Sequence, residues 1–109
     1  MGRKQVKAAM DAAGIPSVHM AWREGTAPEL PWCVFYIEDT DGVFADNSIT
    51  VSSTKWVVEL YQRQSKQDVE DAVEAAILSA FGPFTKSEAW VEKENCIQTS
   101  YYFKEIANG

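Results

Sequence analysis

The hydrophobic pattern changes period along the chain, and each change marks an element. Val6, Ala9, Met10 and Ala13 recur at helical spacing, which predicts a helix over 2–13. Gly14 suits the position just past its last turn, and Pro16 forbids continuation. The basic residues Arg3, Lys4 and Lys7 stand at the positive end of the helix dipole, so this helix either depends on tertiary packing or frays at its start. Ser17 to Trp22 alternates weakly and reads as a short strand. Arg23 to Pro31, punctuated by Gly25 and Pro28, reads as a loop. Trp32 to Glu38 is apolar on both faces, which predicts a strand covered by protein on both sides.

Ile49 to Gln62 reads as a long strand or a strand with a bend. Trp56, Val58 and Leu60 point to one side of it, and Val57, Glu59 and Tyr61 to the other. The run Ser52, Ser53, Thr54 places its first part toward solvent. Between these two strands, Asp39 to Ser48 is acidic and rich in turn formers, and predicts a long hairpin loop. Ser65 is predicted to cap a second helix, with Asp68 three residues on as in a capping box. Asp68, Glu70 and Asp71 suit the dipole of its first turns. Val69, Val73, Ala76, Ile77, Ala80 and Phe81 form its apolar stripe, and Gly82 and Pro83 stop it. Phe84 to Glu94 and Cys96 to Ile106 predict a second hairpin turning at Glu94–Asn95, with Ile97, Thr99, Tyr101 and Phe103 on one face. The order is α-β-β-β-α-β-β. It implies one α+β domain over 1–109, a mainly antiparallel sheet with two helices on one face.

A length of 109 residues is enough for one core without metal or disulfide support. The net charge of −6 disfavours nucleic-acid and membrane-surface binding, both of which want a basic face. No apolar run approaches a membrane span. The basic N-terminus lacks the apolar stretch of a signal peptide, and Val6 stands where a myristoylation motif wants Ser or Thr. The expectation is a soluble cytoplasmic protein. Cys33 and Cys96 fall in strands without nearby histidines, so they read as buried, reduced thiols rather than a zinc site. Some of the four tryptophans are available for an interface.

Catalytic chemistry is not announced. His19 is the single histidine and stands in a strand with no nucleophile motif beside it, so a structural role outweighs a general base. Nucleophile-elbow, zinc-helix, P-loop and dinucleotide fingerprints are absent from the sequence. Asp39, Asp41 and Gly42 resemble the opening of a calcium loop, but no further ligands follow at the required spacing and no glutamate closes it. Glu92, Glu94 and the carboxylates of the second helix read as solvated faces. Neither an enzyme nor a metal or cofactor site is expected. The one oddity is the apolar pair Val43 and Phe44 inside the acidic segment. Together with Asp39, Asp41, Asp46 and Asn47 it forms a candidate protein interface, with packing against its own domain as the alternative.

The chain resembles the tail-terminator or tail-completion proteins encoded in the head-to-tail region of long-tailed bacteriophages and prophages. The resemblance spans nearly the whole chain. It is carried by the opening helix ending AAGIP, the segment REGTAPELPWCVFY, the FADN of the acidic segment, the strand KWVVELYQR, the helix beginning SKQDVEDAVEAAI and the closing YYFKEI. It implies a non-catalytic virion protein made in the host cytoplasm and placed at the head-tail joint. Its implied partners are further copies of itself in a homo-oligomeric, hexameric ring, the tail tube and the head connector. The long hairpin then has a use as an inter-subunit or tube contact. Other readings stay open: a head-completion or minor capsid protein, a monomeric host-directed binding protein, or a small enzyme with a site formed between subunits.

Overall fold

Two helices lie across one face of a five-stranded sheet whose strand order is β1-β2-β3-β5-β4. The computed structural model describes residues 2–45 and 48–108, with side chains outside 41–52 and 106–108. The elements are α1 (Arg3–Ala13), β1 (Ser17–His19), β2 (Trp32–Ala45), β3 (Ser48–Gln62), α2 (Gln67–Ala80), β4 (Phe84–Val91) and β5 (Cys96–Asn108). This is the expected α+β order. All pairings are antiparallel except β1 with β2, which is parallel. The segment after His19 makes that possible: it leaves the sheet at Met20 and returns through residues 21–31, a connection long enough for a parallel crossover. The strand expected to reach Trp22 therefore ends at His19.

The core forms where the helical stripes meet one face of the central strands. Val6, Ala9 and Met10 of α1 and Val73 and Ile77 of α2 are buried against Cys33, Phe35, Trp56, Val58, Leu60, Tyr101 and Phe103. Gly14 takes the left-handed conformation (φ 77°) that ends α1, its N–H donating to the Asp11 carbonyl while the N–H of Ile15 reaches that of Met10. Gly82, at φ 98°, does the same service after α2. Ala80, expected in the stripe, is exposed at the end of that helix.

Three local expectations are corrected. Ser65 does not cap α2. Lys66 holds the cap position without a side-chain bond, and the Ser65 hydroxyl instead donates to the Glu70 carboxylate at 2.6 Å. Glu70, expected on a solvated helix face, is only 3 % exposed because Lys86 reaches it from β4 and Gln62 from β3. The second hairpin turns earlier than Glu94, with β4 ending at Val91 and Asn95 at φ 51° leading into β5.

Cys33 and Cys96 are both buried and free. They lie on opposite faces of the sheet, Cys33 in the helix-side core. Burial pushes the Cys33 thiol up to about 12 and raises that of Cys96, where Glu94 adds to the effect. A thiol reagent at mildly alkaline pH is expected to leave Cys33 unmodified in the native protein and to titrate both thiols in denaturant. Modification of Cys33 faster than global unfolding would contradict its burial.

Candidate functional site

The acidic segment singled out in the sequence is mostly strand. β2 continues to Ala45 and β3 begins at Ser48, so Asp39–Lys55, Thr40–Thr54, Asp41–Ser53, Gly42–Ser52 and Val43–Val51 are paired across the ladder. The expected loop over 39–48 is therefore wrong for residues 39–45 and for Ser48, while Asp46 and Asn47 lie outside the described residues. The physical reason is register. Irregularities between Ile37 and Asp39 and between Val43 and Phe44 let a ladder absorb polar, turn-forming residues without ending. The Asp39 carboxylate accepts the N–H of Thr40 at 2.8 Å beside the first of these.

β5 extends this ladder, pairing with β3 as far as Val51–Asn108. The described core residues of these strands fall within 33–35, 56–60 and 101–103. Beyond them the three strands run on as an arm, and the molecule is 51 Å long against 28 and 22 Å in its other dimensions. β1 pairs with β2 only up to Phe35 and β4 with β5 only up to Phe103. The outer strands of the arm thus present ladder edges that no element of the described chain covers. Such an edge can add a strand from another chain.

The helix-free face of the sheet carries a second feature. Alternation on β3 sends Val57, Glu59 and Tyr61 to this side, and register brings Trp32, Val34 and Tyr36 of β2 and Gln98, Ser100 and Tyr102 of β5 beside them. The Glu59 carboxylate accepts the hydroxyl of Tyr36 at 2.8 Å, the hydroxyl of Tyr61 at 2.9 Å and the amide of Gln98 at 3.1 Å. Burial, then the hydrogen bond to Glu59, pushes Tyr36 up to about 12 and raises Tyr61 in the same way, so both stay neutral donors. Trp22 stacks edge-on to Trp32 at 6.0 Å, and Trp32 lies 4.8 Å from the Tyr61 ring. The segment after β1 folds over these groups and encloses a cleft of about 1110 Å³. The alternation of β3 made Glu59 and Tyr61 neighbours in the sequence, but the register that adds Tyr36 and Gln98 was hidden by the supposed loop.

His19 packs against Phe35 at 5.7 Å, as a structural histidine would. Among the described residues no group of three or more His, Cys, Asp or Glu side chains could hold a metal ion.

No known protein family matches the sequence, and no curated protein matches it either. Among solved structures, the fold is shared with a chain in the virion of a native gene transfer agent particle. The two superpose with a TM-score of 0.56 at 15% identity, over 97% of this chain and 90% of that one. At this identity the likeness is one of fold, that of a chain in a virion particle, and it runs nearly end to end in both.

Proposed function

We propose that this protein is a structural component of a phage or phage-like virion, and specifically a tail terminator whose homo-oligomeric ring caps the tail tube at the head-tail joint. The fold likeness to a chain of a virion particle, covering nearly the whole of both molecules, carries this reading. The sequence resemblance supports the narrower role. So does the arm, whose uncovered edges and protruding end suit a contact between subunits or with the tube. In this reading the chain catalyses no reaction. The partners are further copies of itself, a hexamer by the resemblance, with tail-tube and head-connector proteins.

The arm contact is tested at Phe44, which pairs in register with Ile49, next to Val43 with Val51. Burying one Phe side chain contributes about 1.5–3 kcal/mol, enough to shift a ring equilibrium when repeated at each contact. Phe44→Ser is expected to leave circular dichroism unchanged and to weaken self-association or tube capping, read by sedimentation velocity and negative-stain microscopy. Loss of fold would place Phe44 in the core. Unchanged assembly would remove the arm from the contact.

A further inference from the structure

We infer that the cleft on the helix-free face receives a basic side chain from a second copy of this chain, Arg3 or Lys4 at the start of its α1. This rests on the ring reading and names one contact within it.

The receiving side is a carboxylate held in place without a counter-charge. Glu59 accepts three hydrogen bonds, all from the neutral groups of Tyr36, Tyr61 and Gln98. The ion pairs among the described residues join Lys7 to Asp11 and Lys86 to Glu70 and Glu74, and none reaches Glu59. Arg63 borders the same cleft, but its guanidinium donates to the carbonyls of Glu94 and Asn95. Aromatic side chains stand beside the carboxylate: the hydroxyls of Tyr36 and Tyr61 reach it, Trp32 lies against the Tyr61 ring, and Trp22 against Trp32. Ring faces beside a fixed carboxylate are the surroundings that favour a guanidinium or ammonium group. The rim adds Glu24, Glu29 and Glu94 against Arg23 and Arg63, so the cleft as a whole is acidic.

The donating side is a cationic patch in an unfavourable place. Arg3 and Lys4 are exposed in the first turn of α1, where the helix dipole is positive. No acidic residue stands in that turn, and no side chain caps it. The nearby carboxylate is that of Glu105, which accepts the Gly2 N–H at 3.3 Å. An outside carboxylate with aromatic walls would relieve both the uncompensated acid and the misplaced base.

Geometry makes this a contact between copies. α1 packs on the helix-covered face of the sheet, and Glu59 points from the other. A single chain cannot bring the two together, whereas a head-to-tail contact can, and such contacts close into rings when the rotation allows.

The test is sedimentation velocity at a concentration where the wild type assembles, with circular dichroism on each sample. Glu59→Gln and, separately, Arg3→Glu/Lys4→Glu are expected to weaken association at least tenfold. Mixed together, the two variants keep one intact half-contact each and are expected to form a dimer that neither forms alone. The α1 variant changes only exposed side chains, so it decides the matter even if Glu59→Gln loses its fold. Wild-type assembly by the α1 variant would overturn the contact while leaving the ring standing. A wild type that stays monomeric at high concentration, alone and with tail-tube protein, would overturn both.

Discussion

Replacing Ile77 with aspartate is expected to unfold the protein. Ile77 is fully buried on α2, in one core cluster with Val73 of the same helix and Tyr101 and Phe103 of β5. The substitution removes a large apolar side chain, which costs about 2–5 kcal/mol as a truncation alone. It then adds a carboxylate to a site with no partner, at several kcal/mol more. Against a total stability of roughly 5–15 kcal/mol for a domain, little remains. Loss of the far-ultraviolet dichroism and of any cooperative melt is the expected readout. A melt close to wild type would mean that α2 presents a different face to the sheet.

Lys86→Met should produce the next largest loss. The Lys86 ammonium bridges Glu70 at 3.0 Å and Glu74 at 2.8 Å, and Tyr101 donates its hydroxyl to Glu74 from the sheet. This clamp ties the outer strand β4 to α2. Without the ammonium, the buried Glu70 carboxylate keeps only Ser65 and Gln62. The Lys86 side chain is 31% exposed, so solvent already screens part of the attraction. A loss of about 1–3 kcal/mol in denaturant unfolding is expected. The pH dependence follows from the same groups. Burial works against ionisation of Glu70, yet the bonds from Ser65, Lys86 and Gln62 outweigh it and hold the carboxyl below its ordinary 4.5. A carboxyl lowered by folding stabilises the protein above its unfolded value and ceases to do so as pH falls through its folded one. Lys86 is raised by Glu74 and Glu70, so its share is complete below about 10.5 and fades above. Stability should therefore fall on acidification below about pH 4.5, and less steeply in Lys86→Met than in wild type. Parallel acid profiles for the two would show that the clamp contributes nothing.

The elements with a clear period were legible in the sequence. Both helices, the helix-facing alternation of Trp56, Val58 and Leu60, and the breaks at Gly14 and Gly82 all follow from local chemistry. The arm was not. Asp39, Asp41 and Gly42 favour turns on their own, and only pairing with β3 makes them strand, an outcome set by the ladder rather than by propensity. Glu70 was misread for a similar reason: its partners Gln62 and Lys86 come from other elements, and a first-turn glutamate alone looks like a dipole-compensating surface charge. The aromatic surroundings of Glu59 depend on the β2–β3 register and on the fold of the segment after β1, which alternation along one strand cannot supply.

The chain divides into two halves that meet along a seam between β3 and β5, with α1 packed on α2. Each half holds a helix and a local antiparallel hairpin, β2–β3 in one and β4–β5 in the other. The seam joins residues as far apart in sequence as Val51 and Asn108. Loop closure delays such distant pairings relative to local ones. Assembly of the sheet should thus end with the docking of two preformed halves, and the central strand should acquire its second partner last. In pulsed hydrogen exchange, amides of β2 and β4 that bond within their own hairpins would gain protection before those bridging β3 and β5.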